Sequence, residues 1–200
     1  SQKGSVYAGL IPENPSDEWS LKPILSGLSK NHGMNLTTID NKPVIMVSGT
    51  EGLFAIWGPE KPDLPWRQEQ LLKHEVSDIS IYDIDGDGMH EIVTIEPFHG
   101  DKLLLYKKIS YNWKPVFETS VKSGHVVWTG KLCGRRVILG ASRSGSKELF
   151  MLFPKTNSLK VMAREVLDNN VGATQIAVVH KDNSDLIMSA NHAAGEITLY

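Results

Sequence analysis

A repeat of 47 residues is the sequence feature that most constrains the fold of this chain. Three of the five tryptophans, Trp19, Trp66 and Trp113, are spaced 47 residues apart, and one more step reaches Lys160 inside an apolar stretch. A period of this length is typical of folds built from several copies of one supersecondary unit. The spacing predicts four repeats in a single domain, at about 13–59, 60–106, 107–153 and 154–200.

Each repeat contains three β-rich runs after its tryptophan segment. The first runs are LTTI, ISIYD, VVWTG and IAVV, the second VIMV, EIVTI, RVILGA and DLIMSA, and the third GLFAIW, LLLYK, ELFMLF and EITLY. Alternating polarity with β-branched and aromatic residues between turn signals predicts strands. With the tryptophan segment as an outermost strand, four antiparallel strands recur every ~40–50 residues, as in propeller blades. The predicted fold is therefore all-β, a β-propeller with about four blades.

The two ends of the chain resemble each other. Residues 5–11, SVYAGLI, read like the third run of a repeat, and the chain also ends on such a run at residues 196–200. In a ring closed after four blades these two segments would compete for one position. Two arrangements remain open: an incomplete or five- to eight-bladed ring continued outside this chain, and a four-bladed ring with an extra N-terminal strand.

Composition excludes several classes of protein. The chain has 21 Lys and Arg against 23 Asp and Glu, and aromatic residues do not interleave with basic ones, so we expect no nucleic-acid partner. With Cys133 as the single cysteine, neither an intrachain disulfide nor a four-thiolate zinc site can form. No apolar run approaches the ~20 residues of a membrane span, and the polar start lacks the pattern of a signal peptide.

Residues 83–91, DIDGDGMHE, have the pattern of a calcium loop. Asp83, Asp85 and Asp87 occupy positions 1, 3 and 5, Met89 position 7 and Glu91 position 9. Calcium prefers about six to eight oxygen ligands, which alternate carboxylates and a backbone carbonyl on a tight loop can supply. A plain Asx/Gly hairpin turn is the alternative interpretation.

An EF-hand does not fit this loop. An EF-hand requires a glutamate at loop position 12 and flanking helices. Position 12 is Thr94, and the flanking runs ISIY and IVTI have strand character.

The segment VSDISIYDIDGDGMHEIVTI resembles the blade motif of the FG-GAP/VCBS family of β-propellers, whose calcium loop follows D-x-D-G-D-G-x-x-D/E between the first two strands. The resemblance implies that Asp83, Asp85, Asp87 and Glu91 are side-chain ligands of calcium and that Met89 adds its carbonyl. It extends in weaker form over about residues 30–200. The corresponding loops DNKPV, CGRRV and HKDNSDL lack the carboxylate set, so a structural calcium in one blade is expected.

Three histidines immediately precede predicted inner strands. His32, His74 and His125 occupy this position in three repeats, and equivalent residues of neighbouring blades converge near the ring axis. Three imidazoles there could hold a transition metal or act as acid/base groups near neutral pH. The alternative is structural, with each histidine bonding a neighbouring turn as in WD-repeat blades. His99 and His192 lie in corresponding turns between second and third strands and are predicted to be exposed.

Two functional classes follow from these patterns. The first is a calcium-stabilised ligand-binding or interaction module for a carbohydrate or a protein, and its calcium loop favours an extracellular or cell-envelope setting. The alternative is a carbohydrate lyase or sugar dehydratase of the propeller type, with His32, His74 and His125 at the channel mouth. Propellers host unrelated activities, so the fold alone does not separate the two classes.

Overall fold

A computed structural model describes residues 3–39, 41–61, 64–154, 158–160, 162–182 and 184–200. These ranges contain seventeen strands: β1 (Gly4–Ala8), β2 (Lys22–Leu28), β3 (Met34–Ile39), β4 (Lys42–Gly49), β5 (Gly52–Trp57), β6 (Arg67–Leu72), β7 (Ile79–Tyr82), β8 (Glu91–Glu96), β9 (Lys102–Ile109), β10 (Asn112–Ser120), β11 (Gly124–Leu132), β12 (Arg135–Ser142), β13 (Leu149–Pro154), β14 (Met162–Asp168), β15 (Ala173–His180), β16 (Asp185–Asn191) and β17 (Glu196–Leu199). Within the same ranges, no helix is long and apolar enough to cross a membrane.

The fold is an all-β, four-bladed β-propeller, with four antiparallel sheets arranged in a ring. Blade 1 has the strand order β3-β4-β5-β6, blade 2 β7-β8-β9-β10, blade 3 β11-β12-β13-β14 and blade 4 β15-β16-β17. The first strands of successive blades contact one another, β3 with β7, β7 with β11 and β11 with β15. The predicted propeller is thus confirmed, and each predicted run coincides with the first, second or third strand of a blade.

The tryptophan segments mark outer strands, but those strands belong to the preceding sheet. Trp66 directly precedes β6 and Trp113 lies in β10, and these strands pair with β5 and β9 of the repeat before. The blades are therefore offset from the sequence repeats by one strand. Trp19 departs from the pattern, because it lies in the loop before β2, is 46% exposed and donates from Nε1 to the Pro15 carbonyl at 3.0 Å.

The N-terminal and C-terminal strands occupy different places. β1 pairs with β2 in a separate two-stranded sheet, whereas β17 completes blade 4. The two-stranded sheet packs on blade 1 through an apolar cluster of Ile24, Leu25 and Leu28 with Val47 and Ile56. The expected competition between β1 and β17 does not arise, and the chain has four blades with extra N-terminal strands.

Apolar side chains fill the space between neighbouring blades. Val44 and Met46 of blade 1 pack on Ile92 of blade 2, while the opposite face of blade 2 packs on blade 3 around Phe150. A third cluster joins blades 3 and 4. Burial of each such side chain contributes about 1.5–3 kcal/mol, so contact between sheets is the main source of stability.

A partly buried carboxylate adds a hydrogen bond between blades 2 and 3. Asp78 Oδ2 accepts a hydrogen bond from the Val127 N–H of β11 at 2.8 Å. Burial raises the pKa of the Asp78 carboxyl from 3.8 to about 6, although the N–H groups of Val127 and Ile79 lower it in part. The charged form therefore carries a desolvation cost in the folded protein at neutral pH.

We expect Asp78→Asn to make the protein more stable above pH 6. The folded protein holds the Asp78 proton up to about pH 6 but the unfolded chain only to 3.8, so this group's contribution to stability falls as pH rises between those values. The loss approaches roughly 3 kcal/mol, and asparagine avoids it while keeping an oxygen for the Val127 N–H.

Urea unfolding of both proteins at several pH values between 4 and 8 measures this effect. Asp17→Asn, at an exposed loop carboxylate, is the matched control and should unfold like the wild type. A constant stability difference between Asp78→Asn and wild type across this range would contradict the prediction.

Candidate functional site

Three histidines from three blades meet at one edge of the propeller. His32 precedes β3, His99 lies in the turn between β8 and β9, and His125 is the second residue of β11. Their ring centroids lie 4.6 to 5.1 Å apart, and the Nε2 atoms of His32 and His99 are 3.4 Å apart. One ring nitrogen from each lies within 4.8 Å of the other two. These three residues are called the histidine cluster below.

Backbone hydrogen bonds between the blade edges position the histidine cluster. The His32 N–H donates to the Ser48 carbonyl at the end of β4, at 3.3 Å. The Gly124 N–H, next to His125, donates to the Gly100 carbonyl in the turn that carries His99, at 2.8 Å. The imidazoles are thus attached to strand ends and short turns.

Burial and mutual repulsion keep the histidine cluster neutral. Burial, aided by the positive charge of Arg143, lowers the pKa of His32 and His99 below 6.5, and His99 also lowers that of His32. The pKa of His125 falls to about 4 for the same reasons, burial first. Neutral imidazoles present a lone pair to a metal at pH 7.

The donor set and spacing of the histidine cluster fit a divalent transition metal. Three nitrogens bound tetrahedrally at about 2.0–2.1 Å lie about 3.3–3.4 Å from one another. The His32–His99 distance of 3.4 Å, which also allows a hydrogen bond between the two rings, matches this spacing, and all three nitrogens lie within 4.8 Å of one another. His125 Nδ1 is buried and has no hydrogen-bond partner among the described residues. Imidazole nitrogens suit zinc, copper, nickel and iron.

His74 is not part of the histidine cluster. Its Nε2 lies 3.0 Å from Oε2 of Glu96, a carboxylate that is 8% exposed at the end of β8. Glu96 also accepts hydrogen bonds from Tyr106 Oη at 3.0 and 3.1 Å and from Thr94 Oγ1 at 2.7 Å. The convergence of His32, His74 and His125 predicted from the repeat is thus replaced by one of His32, His99 and His125, because buried Glu96 binds His74.

His99 is the residue that the sequence interpretation missed. It was predicted to be an exposed turn residue, as His192 is, but it is half-buried and stacks on Phe98 at 4.1 Å between ring centroids. The turn between the second and third strands of an antiparallel sheet lies at the same edge as the start of the first strand. This shared edge is the feature of the predicted strand order that could have located His99 near His32.

The acidic loop (residues 83–91) brings together three of its four predicted carboxylate ligands, and Asp87 is not in this group. Asp83, Asp85 and Glu91 each place an oxygen within 4.8 Å of the others. Glu91 is 0% exposed and accepts a hydrogen bond from the Ile84 N–H at 2.8 Å. Met89 donates its N–H to Asp87 Oδ1 at 2.8 Å, while the role of its carbonyl as a calcium ligand stays a prediction.

An ammonium group already lies among these carboxylates. Lys107 Nζ is 2.6 Å from Asp85 Oδ2, 2.7 Å from Asp87 Oδ2 and 3.0 Å from Glu91 Oε1. Burial lowers the pKa of Lys107, but hydrogen bonds to the three carboxylates outweigh burial and hold it above its usual value. Tyr106, the neighbour of Lys107 in β9, pairs with Ile92 of β8, so the register brings Lys107 beside Glu91. Calcium at this loop would have to displace Lys107.

Comparison with protein-family models and with curated proteins finds no match to this chain. The likeness to FG-GAP/VCBS propellers therefore rests on the loop motif and on the four-bladed propeller arrangement, which the structure shows without assigning a family.

We expect Lys107→Ala to convert the acidic loop into a stronger calcium site. Without metal the variant should lose about 3 kcal/mol, because the buried Glu91 carboxylate loses its cation. Calcium at about 100 times its Kd should then restore about 2.7 kcal/mol, whereas the wild type should gain much less. Thermal unfolding with calcium and with chelator measures both effects.

Lys107→Ala combined with Asp85→Ala is the matched control and should not respond to calcium. An equal rise in Tm for wild type and Lys107→Ala would show that Lys107 does not compete with the metal.

Proposed function

We propose that this propeller is a metal-dependent ligand-binding module in which His32, His99 and His125 hold a divalent transition metal, zinc foremost. The observation that carries the proposal is the approach of three ring nitrogens, one from each of three blades, to within 4.8 Å of one another. Three protein ligands leave a further coordination position of zinc for water or an external ligand. A carbohydrate or protein bound at this edge would supply that ligand through an oxygen atom.

The acidic loop contributes to the stability of the protein and not to ligand binding. It joins β7 to β8, whereas His99 lies in the turn that joins β8 to β9, so the two features lie at opposite ends of β8. The loop and its cation, whether Lys107 or calcium, therefore stabilise blade 2 and do not contact a ligand at the histidine edge.

Zinc binding tests the proposal directly. We expect isothermal titration calorimetry to show one zinc per chain, and His99→Ala to weaken binding by at least ~100-fold, about 2.7 kcal/mol. The wild-type affinity should fall as pH drops through the lowered pKa values of the three histidines, because protonation removes the metal-binding lone pair.

His192→Ala is the matched control, since His192 occupies the corresponding turn of blade 4 and is exposed. It should bind zinc like the wild type. Equal zinc affinity in the wild type and His99→Ala would overturn the assignment of the site.

The second candidate function is that of an enzyme of the lyase or dehydratase type. His74 Nε2 lies 3.0 Å from Glu96 Oε2 and 3.3 Å from Tyr106 Oη, so in the tautomer that donates from Nε2 to the carboxylate, Nδ1 is the acceptor. The His74 side chain is 48% exposed. An imidazole oriented by a buried carboxylate is the arrangement of a general base, which both reactions need.

A chain of contacts connects His74 with the histidine cluster. Glu75, the next residue, accepts a hydrogen bond from Lys30 Nζ at 2.8 Å, and Lys30 lies over the Phe98 ring at 5.0 Å. Phe98 in turn stacks on His99. In such an enzyme His74 would act as the base, and a metal held by His32, His99 and His125 would supply Lewis-acid chemistry.

An activity screen separates this candidate from a binding module. The zinc-loaded protein would be incubated with acidic and neutral polysaccharides, and unsaturated sugar products detected by ultraviolet absorbance. In an enzyme, His74→Ala should lower the rate by ~10²–10⁴-fold, whereas His192→Ala should not change it. Zinc binding without product from any polymer would leave the binding module as the function.

A further inference from the structure

We propose that the external ligand of the histidine cluster is an oxyanion, a carboxylate or a phosphate, held jointly by the metal and the guanidinium of Arg143. This inference rests on the proposed function, since it names the ligand class of the same site.

The protein ligands leave the charge of the metal uncompensated. The histidine cluster consists of three imidazoles, which bind a metal as neutral ligands, with no carboxylate in the group among the described residues. A divalent ion held this way keeps its full charge, so an anion is the favoured occupant of its open position.

The carboxylates on the neighbouring segments already have partners. Glu75 binds Lys30 at 2.8 Å, and Glu96 binds His74 at 3.0 Å. Asp101 Oδ1 accepts the Ser123 N–H at 3.1 Å. None of these three carboxylates belongs to the histidine cluster, so these segments supply the metal with no carboxylate ligand.

Arg143 lies beside the histidine cluster with its charge unpaired. It follows β12, and its N–H donates to the carbonyl of Ser123, two residues before His125, at 3.0 Å. Ser123 Oγ and Ser144 Oγ, 2.9 Å apart, join the same two segments. Arg143 forms no salt bridge with any carboxylate in the part of the chain that the structure describes, and its charge helps to lower the pKa of all three histidines.

A free guanidinium beside a metal site favours a shared anion. Two cations repel each other, so Arg143 opposes metal binding until a negative group lies between them. The planar fork of arginine matches two oxygens of a carboxylate or a phosphate. A neutral hydroxyl of a sugar would leave both charges uncompensated.

The cobalt(II) form of the full chain provides the test, because its visible spectrum reports on a change of ligand at the metal. Acetate, glucuronate and methyl phosphate would each be titrated into it, with glucose as the neutral probe. We expect at least one of the anions to change the spectrum at millimolar concentration and glucose to leave it unchanged. Comparing the acetate and methyl phosphate titrations identifies the type of oxyanion.

Arg143→Gln should weaken anion binding at least ~10-fold and leave cobalt affinity unchanged or higher, since a repelling charge is gone. Arg143→Lys, which keeps the charge without the fork, should show an intermediate loss. Arg67→Gln is the matched control, because Arg67 lies on β6 over the Trp57 ring and should bind anions as the wild type does.

Two results would overturn the inference: equal anion affinity in Arg143→Gln and wild type, or glucose binding as tightly as glucuronate. Cobalt affinity is measured separately before each titration. If the wild type does not bind cobalt, the metal site itself is overturned. If it binds cobalt but Arg143→Gln does not change anion affinity, only the oxyanion assignment is overturned.

Discussion

The packing of sheet on sheet is the constraint on which the rest of this structure depends. Blade 2 is covered on both faces, so every residue of β8 is buried, including Glu91 at its start and Glu96 at its end. A buried carboxylate is costly unless it is paired and hydrogen-bonded. The positions of Lys107 and His74 are consequences of that cost, because each lies against one of the two glutamates.

The two ends of β8 therefore have different chemistry. At one end, Lys107 binds three carboxylates and supplies the positive charge that a calcium ion would otherwise bring. At the other end, Glu96 holds His74, and the following turn places His99 against His32 and His125. A structural ion-pair network and a candidate ligand site thus share one strand while facing opposite edges of the propeller.

The histidine edge combines groups that differ in charge. Three imidazoles are neutral because burial disfavours their protonation, while Arg143 remains charged beside them. This arrangement is the basis for proposing that the site binds a metal together with an anion. It gives the ligand-binding proposal a chemical preference that the propeller fold by itself does not provide.

The sequence by itself determined the first three strands of each blade, their order from the axis outward and the tight turn of the acidic loop. Alternating polarity, turn residues and glycine positions act over a few residues, so their effect can be recognised from the sequence without knowledge of the fold. Only the tertiary structure decided which side chains meet: His99 in place of His74 beside His32, 67 positions away, and Lys107 among the loop carboxylates. It also decided that each tryptophan-marked strand pairs with the preceding repeat. These outcomes depend on cross-strand register and on contacts between blades, which join residues too far apart for any local pattern to relate.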